Sequence, residues 1–238
     1  MGYSLLAKYY DRFMSDFPYL RWGDFIISQI DVTKPTLELA CGTGNLTIEL
    51  FKKGIDVHGL DLNSQMLTIA KSKAVEQNLD IGFYHQNMIN ASLAGFSNII
   101  CPCDGINSLL SHKQLNMFFQ NISMQLKGTL IFDFSTSHKL KKLSEQIFYE
   151  DYDDITYYWK TKYLKTRDIA NLELTFFEKS KLGYYIREDL IIRQKGFTVK
   201  EIEKILINHG FSIEGIYDDY TLVSASNDSE RVVFVCKI

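Results

Sequence analysis

A short apolar run that ends in Gly-x-Gly and passes at once into a helix constrains this chain more than any other feature. It lies in Thr36-Leu37-Glu38-Leu39-Ala40-Cys41-Gly42-Thr43-Gly44-Asn45-Leu46-Thr47. The first five residues read as a strand, and Asn45 to Lys53 as a helix closed by Gly54. Glycines at such a junction let backbone approach a ligand where a Cβ would obstruct it. Alone, Gly-x-Gly is weak evidence, but two details sharpen it. Asp61 ends the following strand, where a carboxylate can accept both hydroxyls of a ribose. Thr47 stands where the dinucleotide fingerprint has its third glycine. That glycine allows tight helix–strand packing beneath a pyrophosphate, so Thr47 argues against NAD or FAD and suits an adenosine ligand without a diphosphate. The plainer alternative is a tight turn followed by a surface aspartate.

The rest of the chain extends the alternation. Leu5, Tyr9 and Phe13 recur at helical spacing, as do Leu6, Tyr10 and Met14, and a second helix runs from Arg21 to Ile30, stopping before Pro35. Strands follow at Ile55 to Leu60, Ile81 to His85, Ser97 to Cys103 and Thr129 to Phe134. Between them, Ser64 reads as the N-cap of a helix reaching about Asn78. Another helix after Ser111 puts Leu115, Phe118, Phe119, Ile122 and Leu126 on one side and ends at Gly128. This spacing indicates βαβ units and a parallel sheet covered on both faces. From about Lys141 to Gly196 the period changes to two, with Leu172, Leu174 and Phe176 on one face of a strand. Four antiparallel strands in meander order fit this stretch, which reads as an insertion. Thr198 and Glu201 then form a capping box for a helix closed by Gly210. Ser212 to Tyr217 and Arg231 to Ile238 are the last strands, joined by a short turn and therefore antiparallel. The expected organisation is a main domain of residues 1–140 and 197–238, with residues 141–196 as a lid over the acceptor site.

Composition narrows the class of partner. Lys and Arg total 26 against 29 Asp and Glu, a formal net charge of −3, so no broad basic field is offered to DNA, RNA or an acidic membrane. Met1-Gly2-Tyr3-Ser4 leads into an amphipathic stretch, and no apolar run reaches membrane-spanning length; a cytoplasmic location is expected. The four cysteines, Cys41, Cys101, Cys103 and Cys236, are scattered and read as reduced thiols near buried strands, with no metal site.

Further segments carry a family resemblance. Glu38 to Gly44, followed by Gly59-Leu60-Asp61-Leu62-Asn63-Ser64-Gln65-Met66-Leu67, resembles the first two motifs of class I S-adenosylmethionine-dependent methyltransferases. Tyr10-Asp11-Arg12-Phe13-Met14, Gln86-Asn87-Met88, Cys103-Asp104-Gly105-Ile106-Asn107 and Phe132-Asp133-Phe134 extend the match. The whole chain is similar to the YqeM-like group of small bacterial methyltransferases. The resemblance implies a Rossmann-like α/β fold: a seven-stranded, mostly parallel sheet with an antiparallel last strand, plus the small antiparallel β insertion. It implies S-adenosylmethionine as cofactor, S-adenosylhomocysteine as product and a small-molecule acceptor, with a homodimer left open. By the same resemblance, Glu38 orders the glycine loop and holds the methionine end of the cofactor, lined by backbone of Ala40, Gly42 and Gly44. Asp61 binds the ribose, and Leu62 and Met66 lie beside the adenine. Asn87 stands where the family usually has Asp, and its amide oxygen can still accept from the adenine amino group. Met88 supplies a backbone N–H, and Cys103 ends the fourth strand against the cofactor. Tyr10 and Trp22 resemble residues that close over the methionine moiety, though both also read as helix-packing aromatics.

Transfer of a methyl group from a sulfonium is an in-line displacement needing mainly alignment and desolvation, so a general base is optional. His138, after the fifth strand, is either that base or an exposed loop histidine. The aromatic run of the insertion, with Tyr158 and Trp159, and Arg193 in its last strand, either walls an acceptor pocket or packs the small sheet on the main domain. Pro102-Cys103 is similar to the Pro-Cys nucleophile of cytosine C5 methyltransferases, but no basic stripe accompanies it. Methylation of RNA or protein, and a cofactor-binding protein without catalysis, are the alternative functions.

Overall fold

Strands with unbroken apolar runs must be covered on both faces, and here they form the middle of a seven-stranded sheet. The computed structural model describes residues 2–238, with side chains described from Leu5 onward. Its first half runs α1 (Gly2–Phe13), α2 (Tyr19–Gln29), β1 (Thr36–Leu39), α3 (Asn45–Lys52), β2 (Val57–Asp61), α4 (Ser64–Glu76), β3 (Phe83–His85) and β4 (Asn98–Cys101). After a 3-10 turn (Gly105–Ser108) come α5 (His112–Gln125), β5 (Thr129–Ser135) and α6 (Ser137–Leu143). The meander β6 (Ile147–Asp151), β7 (Ile155–Leu164), β8 (Ile169–Lys179) and β9 (Tyr185–Lys195) precedes α7 (Val199–Asn208), β10 (Ser212–Asp218) and β11 (Arg231–Lys237).

The main sheet has the order β10-β11-β5-β4-β1-β2-β3. Only β11 runs against its neighbours, pairing antiparallel with both β5 and β10. Every residue of β1, β4 and β5 is buried. Alternation divides them between two layers. Leu37, Leu39, Ile99, Phe132 and Phe134 face α5 and α7, while Ile100, Ile131 and Val233 meet Trp22, Ile26, Leu46 and Leu50 of α2 and α3. Strand order reverses between β1 and β4, so the loops leaving these two strands diverge and open a crevice at their carboxyl ends.

The second sheet is antiparallel, in the order β6-β7-β8-β9. One face, carrying Ile155, Tyr157, Leu174, Phe176 and Leu190, packs on Leu5, Leu6 and Tyr9 of α1 and on Met66. Arg12 of α1 grips Asp154 with two hydrogen bonds of 2.5 and 3.3 Å, and Tyr9 Oη donates to Glu178 at 2.7 Å. Helix α1 and the small sheet thus share a core and a charged rim.

Three local expectations are corrected. Ser64 is the first residue of α4 and not its cap: extended Asn63 turns its Oδ1 onto the N–H groups of Gln65 and Met66, at 2.9 and 3.3 Å. The connection from β10 to β11 is no short turn, since residues 219–230 bridge Tyr217 to Ser224 and bury Tyr220 against Trp22. Helix α6 replaces the expected loop after β5, capped by Thr136, whose Oγ1 accepts from Lys139 N at 3.2 Å.

Candidate active site

The crevice is built on the glycine loop. Ala40, Gly42 and Gly44 all take left-handed φ values, of +55°, +56° and +74°. A Cβ at Gly44 would lie 3.0 Å from the Phe83 ring and 3.1 Å from Ala70 Cβ, so packing as well as φ demands glycine there. Among the described residues, and apart from its chain neighbours, Gly42 has one atom within 4 Å of a hypothetical Cβ, Cε1 of Tyr10 at 3.8 Å. Asp61, at the end of β2, accepts from Gly42 N at 2.8 Å through one oxygen and from Asn63 N at 2.7 Å through the other. Each oxygen keeps lone-pair capacity for a further donor. Burial raises its pKa against those hydrogen bonds, which lower it.

Glu38 is 3% exposed and accepts a hydrogen bond from Thr47 Oγ1. Burial pushes its carboxyl up to about 8. Thr47, read from sequence only as a missing glycine, therefore has a role of its own, because its hydroxyl orients the buried acid under the loop. Helix α1 roofs the loop through Asp11, which accepts from Thr43 Oγ1 at 2.5 Å, Asn45 Nδ2 at 3.0 Å and Lys73 Nζ at 2.7 Å. Asn45 in turn donates to Tyr19 Oη at 3.3 Å. Sequence reasoning missed Asp11, Tyr19, Thr43 and Asn45 as site residues. Asp11 lies within the Tyr10 to Met14 motif, but its partners are distant in sequence. The narrow cleft left beneath the roof is lined by Tyr10, Tyr19, Glu38, Ala40, Thr43 and Cys103. Burial pushes both phenols well up, so they face it as neutral hydroxyls.

The other candidates divide. Leu62 stands 64% exposed just beyond β2, and Met66 is buried beside it on α4. Asn87 is exposed with its Oδ1 accepting from Ile89 N at 3.0 Å, and Met88 is buried. Burial also drives the Cys103 thiol well up, which opposes its use as a thiolate nucleophile. Trp22 lies away from the cleft, 2% exposed in the layer below, stacked on Tyr220 at 4.2 Å. His138 is exposed on the first turn of α6. Tyr158 and Trp159 are consecutive in β7 and point to opposite faces. Trp159 shares the inner face with Leu174 and stacks on Phe148 at 4.2 Å. By register Tyr158 and Arg193 lie on the outer face, where Arg193 is exposed.

These groups fit an adenosine with an amino-acid tail. A carboxylate with free lone pairs stands at the second strand, the loop presents backbone with no Cβ at Gly42, and a second acid lies buried at its far side. A switch-point crevice so equipped defines the class I S-adenosylmethionine-dependent methyltransferases. Residues 36–128 match the methyltransferase domain family. A Geobacillus sp. (strain WCH70) protein named as a methyltransferase, with no acceptor stated, is 35% identical and covers 100% of both chains. YqeM of Bacillus subtilis (strain 168), named in the same way, is 32% identical over 98% of this chain and 96% of its own. A crystal structure of an S-adenosylmethionine-dependent methyltransferase from Clostridium acetobutylicum ATCC 824 superposes with a TM-score of 0.86 at 29% identity, over 100% of this chain and 99% of that one. The chain belongs to the YqeM-like family of methyltransferases, and its cofactor is S-adenosylmethionine. No helix among the described residues is long and apolar enough to cross a membrane.

Proposed function

We propose that the chain methylates a small organic molecule held between the glycine loop, helix α1 and the inner face of the four-stranded sheet. The observation that supports this reading is that α1, which holds the glycine loop through Asp11, also shares a core with the inner face of that sheet. When bound, the cofactor supplies an activated methyl group on sulfur.

The chain's own residues then bind, align and exclude water. Asp61 holds the ribose, with Leu62 and Met66 against the adenine and Asn87 and Met88 at its edge. Glu38, Ala40, Gly42 and Gly44 receive the methionine end, and Tyr10 closes over it. Cys103 and the turn after β4 form the wall on the transfer side. Alignment and desolvation do the catalytic work, with no obligatory base, so exposed His138 is at most an auxiliary. Trp159 is the inward aromatic available to an acceptor. Tyr158 and Arg193, on the other face, are not carried into the pocket.

The test is to incubate the protein with methyl-labelled cofactor and fractionated metabolite pools, protein and RNA. Label in a low-molecular-weight product supports the reading. Label confined to RNA or protein would replace it with a macromolecular methyltransferase, and binding with no transfer to any pool would leave a cofactor-binding protein.

A further inference from the structure

Asp104, in the turn after β4, and Asp133, in β5, hold neither cofactor nor acceptor in the reading above. The fold joins them through a cation from near the end of the chain. Arg231, the first residue of β11, is buried opposite Ser135. Its Nη1 donates to Asp104 Oδ1 at 2.8 Å and to Asp133 Oδ2 at 2.5 Å, and its Nη2 donates to Asp104 Oδ2 at 3.1 Å. Asp133, fully buried, in turn accepts the backbone N–H of Cys103 at 3.2 Å and of Asp104 at 2.7 Å. Ser135 Oγ donates to Asp104 Oδ1 at 2.8 Å, and a third carboxylate, Asp219, lies 3.6 Å from Arg231 Nε. The guanidinium also lies 4.8 Å from the centre of the Trp22 ring, so that buried tryptophan packs on the cation and not on the cleft.

What this cluster restrains is unusual backbone. Cys103 and Asp104 are consecutive, neither is glycine, and both are left-handed, at φ +57° and +61°. L side chains avoid that region, and two in succession persist only where the surroundings over-determine them. The turn also adjoins the cofactor loop: Cys103 lines the cleft with Ala40, and a Cβ added at Gly105 would lie 3.4 Å from Ala40 Cβ. A buried ion cluster is a poor device for stability alone, because apolar residues of similar volume often do as well. A requirement for one backbone geometry beside the crevice accounts for it better.

We propose that Arg231 is a positioning residue for methyl transfer: by holding Asp133 and Asp104 it keeps the Cys103-Asp104 turn left-handed, and that turn sets the cleft wall facing the glycine loop. This rests on the cofactor reading above. It is tested by calorimetric titration of the full chain with S-adenosylhomocysteine, with circular dichroism as the check on folding. Arg231→Met should bind about ten-fold more weakly, equivalent to roughly 1.4 kcal/mol. Adding Asp104→Gly to Arg231→Met should recover most of that loss, because glycine adopts the left-handed turn unaided. Asp104→Gly alone should bind more tightly than Asp104→Ala, although both lack the carboxylate. Wild-type affinity in folded Arg231→Met, no recovery in the folded double variant, or equal affinities for the Gly and Ala variants would each overturn the inference. Should Arg231→Met fail to fold, the Gly/Ala pair decides. Failure of the unaltered chain to bind overturns the cofactor reading and this inference with it, whereas normal wild-type binding without the variant differences overturns the inference alone.

Discussion

At the residue scale two carboxylates carry opposite burdens. Asp61 is tied to two backbone N–H groups and retains capacity for a ligand, so its removal costs loop order and, on the proposed binding mode, ribose contacts. Asp61→Ala should weaken S-adenosylhomocysteine binding by about 1.5–3 kcal/mol, read by calorimetry on folded protein. Glu38 is the contrary case, an acid that burial holds protonated up to a pH of about 8. An unfolded chain releases this proton near the ordinary 4.5, so the stability it contributes is full below 4.5 and is lost as pH climbs through about 8. Glu38→Gln should flatten that decline in a pH series of denaturant unfolding. In the proposed binding mode the cofactor's ammonium lies against Glu38 and favours the ionised acid, so binding should release a proton and tighten with pH, approaching about ten-fold per unit below 8. Titrations in buffers of different ionisation enthalpy detect that release; a buffer-independent heat would remove Glu38 from the cofactor's methionine end.

At the scale of elements, α1 is the strap between the two sheets. Its Asp11 holds Thr43, Asn45 and Lys73, while Tyr9 and Arg12 hold Glu178 and Asp154. Asp11 and Lys73 are partly exposed, so their charge contributes little, and the latch as a whole is worth only about 1 kcal/mol. Asp11→Ala should therefore leave the fold intact and raise amide exchange in α1 several-fold, as hydrogen-exchange mass spectrometry would show. Unaltered exchange in α1 would mean the roof is held by its apolar face alone. On the small sheet, Trp159→Ala should impair use of an acceptor while sparing cofactor affinity, and Tyr158→Ala should change neither parameter, as acceptor KM and cofactor titrations would show. Richness in aromatic and β-branched residues makes the strand at residues 155–163 visible, but grouping Tyr158 and Trp159 in one pocket wall overlooks that neighbours in a strand point to opposite faces. Composition could not say which face turns inward, because that depends on α1 packing from far away in sequence. Helix α6 was invisible for another reason: it has seven residues and buries only Leu140, too little for a periodic signal.

At the scale of the whole molecule, what was legible is what is local. The glycine loop, the carboxylate at the end of β2 and the alternation of strands and helices all follow from residues close together in the chain, whereas the switch in strand order is seen only in the folded sheet. What was illegible joins distant segments: Asp11 with Thr43 across 32 positions, and Arg231 with Asp133 across 98. Such pairs appear only once the sheet order brings their strands side by side. Cofactor, acceptor and wall all depend on the crevice at that switch point accepting an adenosine with a methionine tail in place of a diphosphate. Calorimetric titration of the full chain with S-adenosylhomocysteine, alongside NAD, addresses this most directly. One saturable site for the thioether, absent for NAD, is the expected result. Heat with NAD, or none with S-adenosylhomocysteine at millimolar concentration, would contradict it.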